Sequence, residues 1–180
     1  MSTTVPVYTS IAKVLHWTMA LMLPPILALG FYMRDLPFSP QKLQFYAWHK
    51  WAGVTVFLLV LVRLGWRALN PPPPLPETMH PGARRLAGAA HAMLYLLMLA
   101  IPLSGWLMSS AKGFQTVWFG VLPIPDLIDK DPELGDRLAT LHFVLNLSFL
   151  ALLVAHVGAV IKHAVLDRDP ILARMLPTQP

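Results

Sequence analysis

The feature that most constrains this chain is a set of four long stretches with almost no charged residue. Residues 14–33, 86–111 and 138–161 contain no Asp, Glu, Lys or Arg, and residues 43–62 contain only Lys50. Each stretch reaches the length of about 20 residues that a helix needs to cross the hydrocarbon core of a bilayer. The alternation at period two that is typical of membrane β-barrels is absent. The sequence therefore predicts an all-α, integral membrane four-helix bundle, with helices at about 11–33, 43–66, 84–110 and 137–163.

The composition agrees with a membrane location. Only 13% of the 180 residues are charged, which is about half the share in an ordinary soluble domain. The chain has no cysteine, which excludes disulfides, iron–sulfur clusters and covalently attached c-type haem. Its net charge of +5 could indicate nucleic acid, but the basic residues flank the apolar runs, as expected for membrane orientation. We expect one membrane domain over residues 1–180, with lipid contacts and no nucleic-acid partner.

The connecting segments and the flanking charges predict how the helices are arranged. Residues 70–76, NPPPPLP, predict a stiff extended linker, and residues 126–137 predict a polar loop. Residues 113–125 are apolar but too short to span, so we expect an interfacial loop. Eight Lys and Arg residues fall on one side and six on the other, which favours cytoplasmic N- and C-termini. The run 14–33 exceeds the 7–15 apolar residues of a signal peptide, so we expect it to be retained.

Two histidines lie on one face of the fourth predicted helix. The fourteen residues from His142 to His156 turn a helix by about 1400°, within about 40° of four full turns, and cover about 21 Å along its axis. Polar groups at membrane depth are costly and are usually functional. One helix therefore offers an imidazole near each membrane surface, an arrangement that two haems stacked across a bilayer need.

Each iron then requires a second axial ligand at the same depth. His49 is level with His142 on the outer side, and His16 is level with His156 on the inner side. His91 lies two turns into the third helix from the inner side and competes for the place of His16, and spacing alone leaves both open. A hydrogen bond between helices is the alternative role for any single one of these histidines. Zinc would need four ligands around one tetrahedron, and these histidines separate into pairs too distant for that.

The chain resembles the bacterial cytochrome b561 family of small four-helix, dihaem membrane proteins over nearly all of residues 10–177. The similarity is carried by LHW at 15–17, HKWAG at 49–53, VRLGWR at 62–67, AHAMLYLLMLAIPLSGWLMS at 90–109, the pair His142 and His156, and RMLP at 174–177. The resemblance implies two b haems, an inner one held by His16 with His156 and an outer one held by His49 with His142. It implies that His91 is free of iron, and that the protein lies in the bacterial inner membrane.

Two imidazoles per iron leave no open coordination position, which favours electron transfer. On the inner side, Arg84 and His91 are seven residues apart on one helix face and could hold a quinone. Arg84 could instead pair with a haem propionate, or only set the topology. On the outer side, Lys42, Lys50 and Lys112 could balance propionates or attract a small anion.

Members of the family include superoxide oxidases that pass electrons to ubiquinone. The resemblance therefore implies an oxidoreductase of superoxide:ubiquinone type. Superoxide is an anion, and a basic outer surface would attract it. The last outer loop, however, is acidic over residues 126–136, so any basic surface must be local. The alternatives are an electron-transfer membrane subunit for a separate dehydrogenase or other periplasmic donor, and a structural membrane protein without haem.

Overall fold

The computed structural model describes residues 7–76 and 79–176. It contains four long helices, α1 (Ser10–Arg34), α2 (Pro40–Leu69), α3 (Pro81–Ala111) and α4 (Pro132–Val165). All four are long and apolar enough to cross a membrane, which confirms the predicted all-α fold with four helices of membrane-spanning length. Between α3 and α4 lies an antiparallel hairpin of β1 (Val117–Trp118) and β2 (Leu122–Pro123), and a 3-10 turn, Ala173–Met175, follows α4. Pro177 of the RMLP motif and both ends of the predicted 1–180 domain lie outside the described residues.

The helices extend beyond their uncharged stretches because polar caps and prolines start them early. The side chain of Asp131 accepts a hydrogen bond from the Leu134 amide at 3.0 Å, Pro132 occupies the first turn, and Glu133 adds a favourable acidic charge there. As a result α4 begins within residues 126–137, where a loop was expected. Ser39 caps α2 in the same way, its hydroxyl accepting from the Lys42 amide at 3.2 Å.

Packing between the helices leaves most of their surface outside the protein core. Helix α3 packs on α4, α1 on α2, and α2 on α3. Two small apolar clusters fill the interior, one of Leu27, Leu94, Leu97 and Phe149, the other of Met19, Val56 and Val60. Large apolar side chains such as Leu21 (74% exposed) and Leu96 (57% exposed) face outwards, as expected where lipid, and not water, surrounds a bundle.

The hairpin is fixed against α2 by tryptophan hydrogen bonds. The indole nitrogen of Trp51 donates to the Val117 carbonyl at 2.6 Å, and that of Trp118 donates to the Trp51 carbonyl at 3.2 Å. Phe119 and Gly120 form the turn with φ angles of +50° and +72°, a conformation in which glycine meets no steric cost. We call the end of the bundle that carries this hairpin the outer end, following the predicted orientation, and the opposite end the inner end.

The segment after α4 folds back across the inner end. The Trp17 indole nitrogen donates to the Met175 carbonyl at 2.8 Å, and a guanidinium nitrogen of Arg174 donates to the Pro74 carbonyl at 2.9 Å. The Tyr8 amide donates to the Arg174 carbonyl at 3.3 Å. These bonds tie the C-terminal segment to the start of α1 and to the proline-rich linker.

Candidate functional site

Two histidines from different helices face one another at the outer end. The ring centroids of His49 on α2 and His142 on α4 are 6.3 Å apart, and the ring planes are nearly perpendicular at 83°. An ion bound on opposite sides by two imidazole nitrogens lies about 2 Å from each, which places the ring centroids roughly 6 Å apart. The observed separation is therefore one at which both rings would reach a single metal ion between them.

Helix α3 fixes the orientation of His142. The Nδ1 atom of His142 lies 3.0 Å from the Ile101 carbonyl and 2.9 Å from Ser104 Oγ, while the Ser104 hydroxyl donates to the Ile101 carbonyl at 2.8 Å. A proton on Nδ1, shared between the carbonyl and the hydroxyl oxygen, satisfies all three contacts. This tautomer leaves the Nε2 lone pair available for a metal, and such outer contacts are typical of metal-binding histidines.

Helix α1 supports His49 from the other side. A Cβ atom built at Gly30 would lie 3.0 Å from His49 Cε1, so any other residue there would force the ring or the helix to shift by a few tenths of an ångström. The Nδ1 atom is buried and, within residues 7–76 and 79–176, makes no hydrogen bond of ordinary geometry, although it interacts electrostatically with the Ile26 carbonyl. Gly105 makes the same allowance for the facing ring, because a Cβ atom there would lie 3.1 Å from His142 Cε1.

A cavity of about 590 Å³ surrounds this outer pair. Its size falls within the range of about 300–1,000 Å³ that is usual for small-molecule and cofactor sites. The wall is mostly apolar and includes Phe57, Met98 and Phe149, and the hairpin segment contributes Thr116 and Ile124. The separation of the rings, the two Nε2 atoms without a hydrogen bond in the described part of the chain, and the volume together fit a flat cofactor with a central iron.

The inner end brings three histidines together. The ring centroids of His91 on α3 and His156 on α4 are 5.4 Å apart with an interplanar angle of 68°, which is a direct edge contact. His16 on α1 interacts electrostatically with both of them and with Arg63. The structure therefore places all three imidazoles that the sequence proposed for the inner side in one region.

The four basic and polar residues proposed as further site residues have different surroundings. Lys50 lines the outer cavity, and its ammonium donates to the Phe114 carbonyl at 2.8 Å. Lys112 forms an ion pair with Asp136 at 2.8 Å at the start of α4. Arg84 has a buried Nε atom without a hydrogen bond in the described part of the chain, and there no hydrogen bond or ring contact joins it to His91.

Sequence reasoning missed the residues that support the histidines. Ser104, Gly30 and Gly105 act on rings of other helices, and a single helix pattern does not reveal such contacts. Arg34, which lines the outer cavity, was also missed, although a helical count does place it on the face of His16. Counting the residues between each basic residue and each histidine of the same helix would have found it, because Arg34 follows His16 by eighteen residues, or about five helical turns.

These features define a class: a membrane protein of four spanning helices with imidazoles grouped inside the bundle at two levels. Comparison with known proteins gives the family. Residues 7–178 match the model of a family described as prokaryotic cytochrome b561. Cytochrome b561 homolog 2 of Escherichia coli (strain K12) is 34% identical over 177 residues, covering 94% of this chain and 90% of that protein.

Two further relatives agree with this result. A probable superoxide oxidase, CybB, of Yersinia pestis is 27% identical over 175 residues, covering 94% of this chain and 96% of that protein. Cytochrome b561 homolog 1 of Escherichia coli (strain K12) is 29% identical over 138 residues, covering 72% of this chain and 73% of that protein. The chain belongs to the prokaryotic cytochrome b561 family, and so is a multi-pass bacterial membrane protein of haem-based electron transport.

Proposed function

We propose that this protein is a dihaem cytochrome that carries electrons across the membrane, from superoxide at the outer face to ubiquinone at the inner face. One observation supports it above all. The pair His49 and His142 meets inside a cavity of cofactor size, and α4 carries His156 fourteen residues farther along, beside His16 and His91. One helix thus contributes to two sites at two depths.

The ring contacts support the outer ligand set. His49 and His142 would hold the outer haem through their Nε2 atoms, because the Nδ1 atoms face the backbone carbonyls of Ile26 and Ile101. For the inner haem we keep the pair that the family resemblance implies, His16 and His156, in preference to His91. His91 lies beside His156 in edge contact, which suits a residue that acts at the margin of the site.

The protein's own part is to hold and shield the cofactors. Haem with two imidazole ligands has no open position and supplies one-electron transfer. Ser104 keeps the His142 ring in one orientation, and the nearly fully buried Phe149 (2% exposed) helps to exclude water between the two levels. Water exclusion and fixed ligands limit the rearrangement that accompanies a change of charge.

At the inner end, Arg84 and His91 are the residues that we assign to ubiquinone. The buried Arg84 Nε–H has no acceptor in the described part of the chain, so a quinone carbonyl would satisfy it. Reduction of one quinone takes two electrons and two protons. Histidine is the side chain best suited to pass protons near neutral pH, and His91 is placed next to the inner ligand His156.

At the outer end, two superoxide anions each lose one electron and leave as dioxygen, which matches the two electrons that one quinone needs. Positive charge near the cavity attracts an anionic donor. Lys50 lines the cavity, whereas Lys112 is neutralised by Asp136, so we assign the attraction to Lys50. The name of the Yersinia pestis relative, a probable superoxide oxidase, supports this choice of donor.

The haem assignment is tested on purified protein produced with ample haem supply. A pyridine haemochrome assay should give two b haems per chain. His142→Ala should remove the outer haem and leave the inner spectrum, and His16→Ala should do the reverse while His91→Ala keeps both. Retention of both haems by His142→Ala, or loss of the inner haem only in His91→Ala, would contradict the corresponding ligand.

The donor and acceptor are tested separately. A pulse of superoxide should reduce the haems rapidly, superoxide dismutase should abolish the reduction, and added ubiquinone should reoxidise them. If superoxide leaves the haems oxidised and a co-purified dehydrogenase reduces them, the protein is the membrane subunit of that enzyme. Reporter fusions should place both termini in the cytoplasm, and a periplasmic C-terminus would reverse the assignment of the two faces.

A further inference from the structure

Helices α1 and α2 each carry a histidine at one level and an arginine at the other. Arg34 follows His16 by eighteen residues, and Arg63 follows His49 by fourteen. Eighteen residues are about five full turns and fourteen are about four. Each arginine therefore lies on the same helix face as the histidine, at the opposite end of the bundle.

At the outer end, Arg34 lines the cavity that contains His49 and His142. Its guanidinium carbon lies 4.2 Å from the centroid of the Phe143 ring. Among residues 7–76 and 79–176, no carboxylate pairs with this guanidinium. Arg34 is exposed at the end of α1, so its cation carries no cost of burial, but a positive charge that lines the cavity without a counter-charge attracts an anion there.

The outer lysines are engaged elsewhere. The Lys50 ammonium donates to the Phe114 carbonyl at 2.8 Å, and Lys112 pairs with Asp136. Lys42 donates to the carbonyls of Arg34 and Leu36 at 3.1 and 2.5 Å. Lys50 thus uses one of its three N–H donors within the protein, whereas the Arg34 guanidinium, which also lines the cavity, makes no hydrogen bond within residues 7–76 and 79–176.

At the inner end, Arg63 occupies the corresponding position. Its Nε–H donates to the Tyr95 hydroxyl at 2.8 Å, and its two terminal nitrogens make no hydrogen bond within the described residues, so they could bind an anion. Arg63 interacts electrostatically with His16, His91 and His156. In the part of the chain that the structure describes, it pairs with no carboxylate.

Arg67, one turn after Arg63, completes a basic group. The guanidinium carbons of both arginines lie 5.8 Å from the centroid of the Tyr95 ring. Both side chains line a small cavity of about 30 Å³ with Tyr8, Trp66 and Asn70. The Trp66 indole nitrogen donates to Thr9 Oγ1 at 2.9 Å, which holds this wall against the start of α1.

Guanidinium groups bind carboxylates with two parallel hydrogen bonds, and haem b carries two carboxylates. We propose that Arg34 and Arg63 bind the carboxylates of the outer and inner haem, respectively, so that α1 and α2 each hold one haem through iron and the other through its carboxylates. This inference rests on the proposed function. Under this inference Arg34 and Arg63 bind the haem carboxylates in place of the lysines and Arg84, and Arg84 remains available for the quinone.

The test compares Arg34→Gln and Arg63→Gln with Arg85→Gln, an exposed arginine of the same inner region. Haem content per chain and the midpoint potentials of both haems are measured on the purified holoprotein. Removing a cation beside a haem favours the oxidised, more positive state, so the midpoint potential should fall. We expect a change of about tenfold in the reduction equilibrium, or about 59 mV for one electron.

The inference is tested by which of the two haems each variant affects. Arg34→Gln should shift or release only the outer haem, Arg63→Gln only the inner haem, and Arg85→Gln neither. Arg34→Lys and Arg63→Lys should restore most of the potential because they keep the charge, and they serve as the test if the glutamine variants do not fold. Unchanged potentials and haem content in all these variants would overturn the inference while the two haems themselves uphold the proposed function.

The phosphate of an anionic phospholipid binds guanidinium groups as a carboxylate does, so such a lipid is the competing ligand. If Arg63→Gln loses bound phospholipid in native mass spectrometry while both haem potentials stay unchanged, the arginine belongs to a lipid site and the inference is overturned. A chain that binds no haem at all would overturn both this inference and the proposed function.

Discussion

Replacing Gly30 with alanine should release the outer haem while the four helices still form. A Cβ atom at this position would lie 3.0 Å from Cε1 of His49, whereas unstrained carbon contacts are about 3.5–4.0 Å. The imidazole or α1 must therefore move by about 0.5 Å. Metal–ligand distances tolerate only about 0.2 Å, so the displaced ring should no longer hold the iron in line with His142.

The fold itself should tolerate the change. Alanine is better than glycine in the middle of a helix by about 0.5–1 kcal/mol, which offsets part of the about 1–3 kcal/mol that local overpacking costs. Helical content, measured by circular dichroism in detergent, should therefore stay close to that of the unchanged protein, whereas the thermal midpoint should fall because the variant lacks one bound haem. The loss is expected in haem content, which should fall from two to one per chain.

Two related variants make this prediction specific. Gly65→Ala, on α2, introduces a Cβ atom with nothing within 4 Å and should keep both haems. Gly105→Ala, whose Cβ atom would lie 3.1 Å from His142 Cε1, should release the outer haem from the other side. If Gly30→Ala keeps two haems with unchanged potentials, the argument that these glycines shape the outer site is refuted.

Two further predictions concern single hydrogen bonds. Ser104→Ala should weaken retention of the outer haem by about 1 kcal/mol, or about fivefold, and raise its midpoint potential, because His142 loses one of two Nδ1 contacts. The rate of haem transfer to apomyoglobin checks this, with the exposed Ser148→Ala as control; equal rates would refute it. The pKa of Asp167 is lowered below its ordinary 3.8, chiefly by the hydrogen bond from Lys162. The contact should therefore be complete above pH 3.8 and be lost as pH falls through the lowered pKa, and a carboxyl NMR titration in which Lys162→Gln leaves that pKa unchanged would disagree.

The helices could be predicted from sequence because membrane length and lack of charge act over about twenty residues at once. The ends of the helices depend on single capping residues. These residues can be recognised in the sequence, but a search for uncharged stretches does not consider them. Asp131 followed by Pro132 is a helix start, yet it lies inside an acidic segment that reads as a loop. The hairpin at Val117–Pro123 depends on indole bonds to α2, which no local pattern of residues encodes.

For the site as well, features within one helix could be predicted, whereas contacts between helices could not. Periodicity alone puts His142 and His156 on one face of α4, because both belong to one helix. The facing of His49 and His142 depends on how α2 and α4 pack; the positions of the two residues along their helices suggested the same pair, and iron binding by it stays a prediction. The roles of Ser104 and Gly30 could not be predicted, since each acts on a side chain of another helix through a contact of one hydroxyl or one missing methyl group.

The two ends of the bundle also differ in how completely their imidazoles are held. At the outer end, His142 has two polar contacts to α3, and glycines on α1 and α3 leave room for both rings. At the inner end, three imidazoles and Arg63 share one region, and His91 contacts His156 directly. A ligand that is held by several contacts changes little when charge moves, whereas an imidazole that is not bound to a metal can take up or release a proton near neutral pH. This asymmetry suits one-electron entry at the outer end and proton-coupled quinone chemistry at the inner end, which is the direction of transfer that we propose.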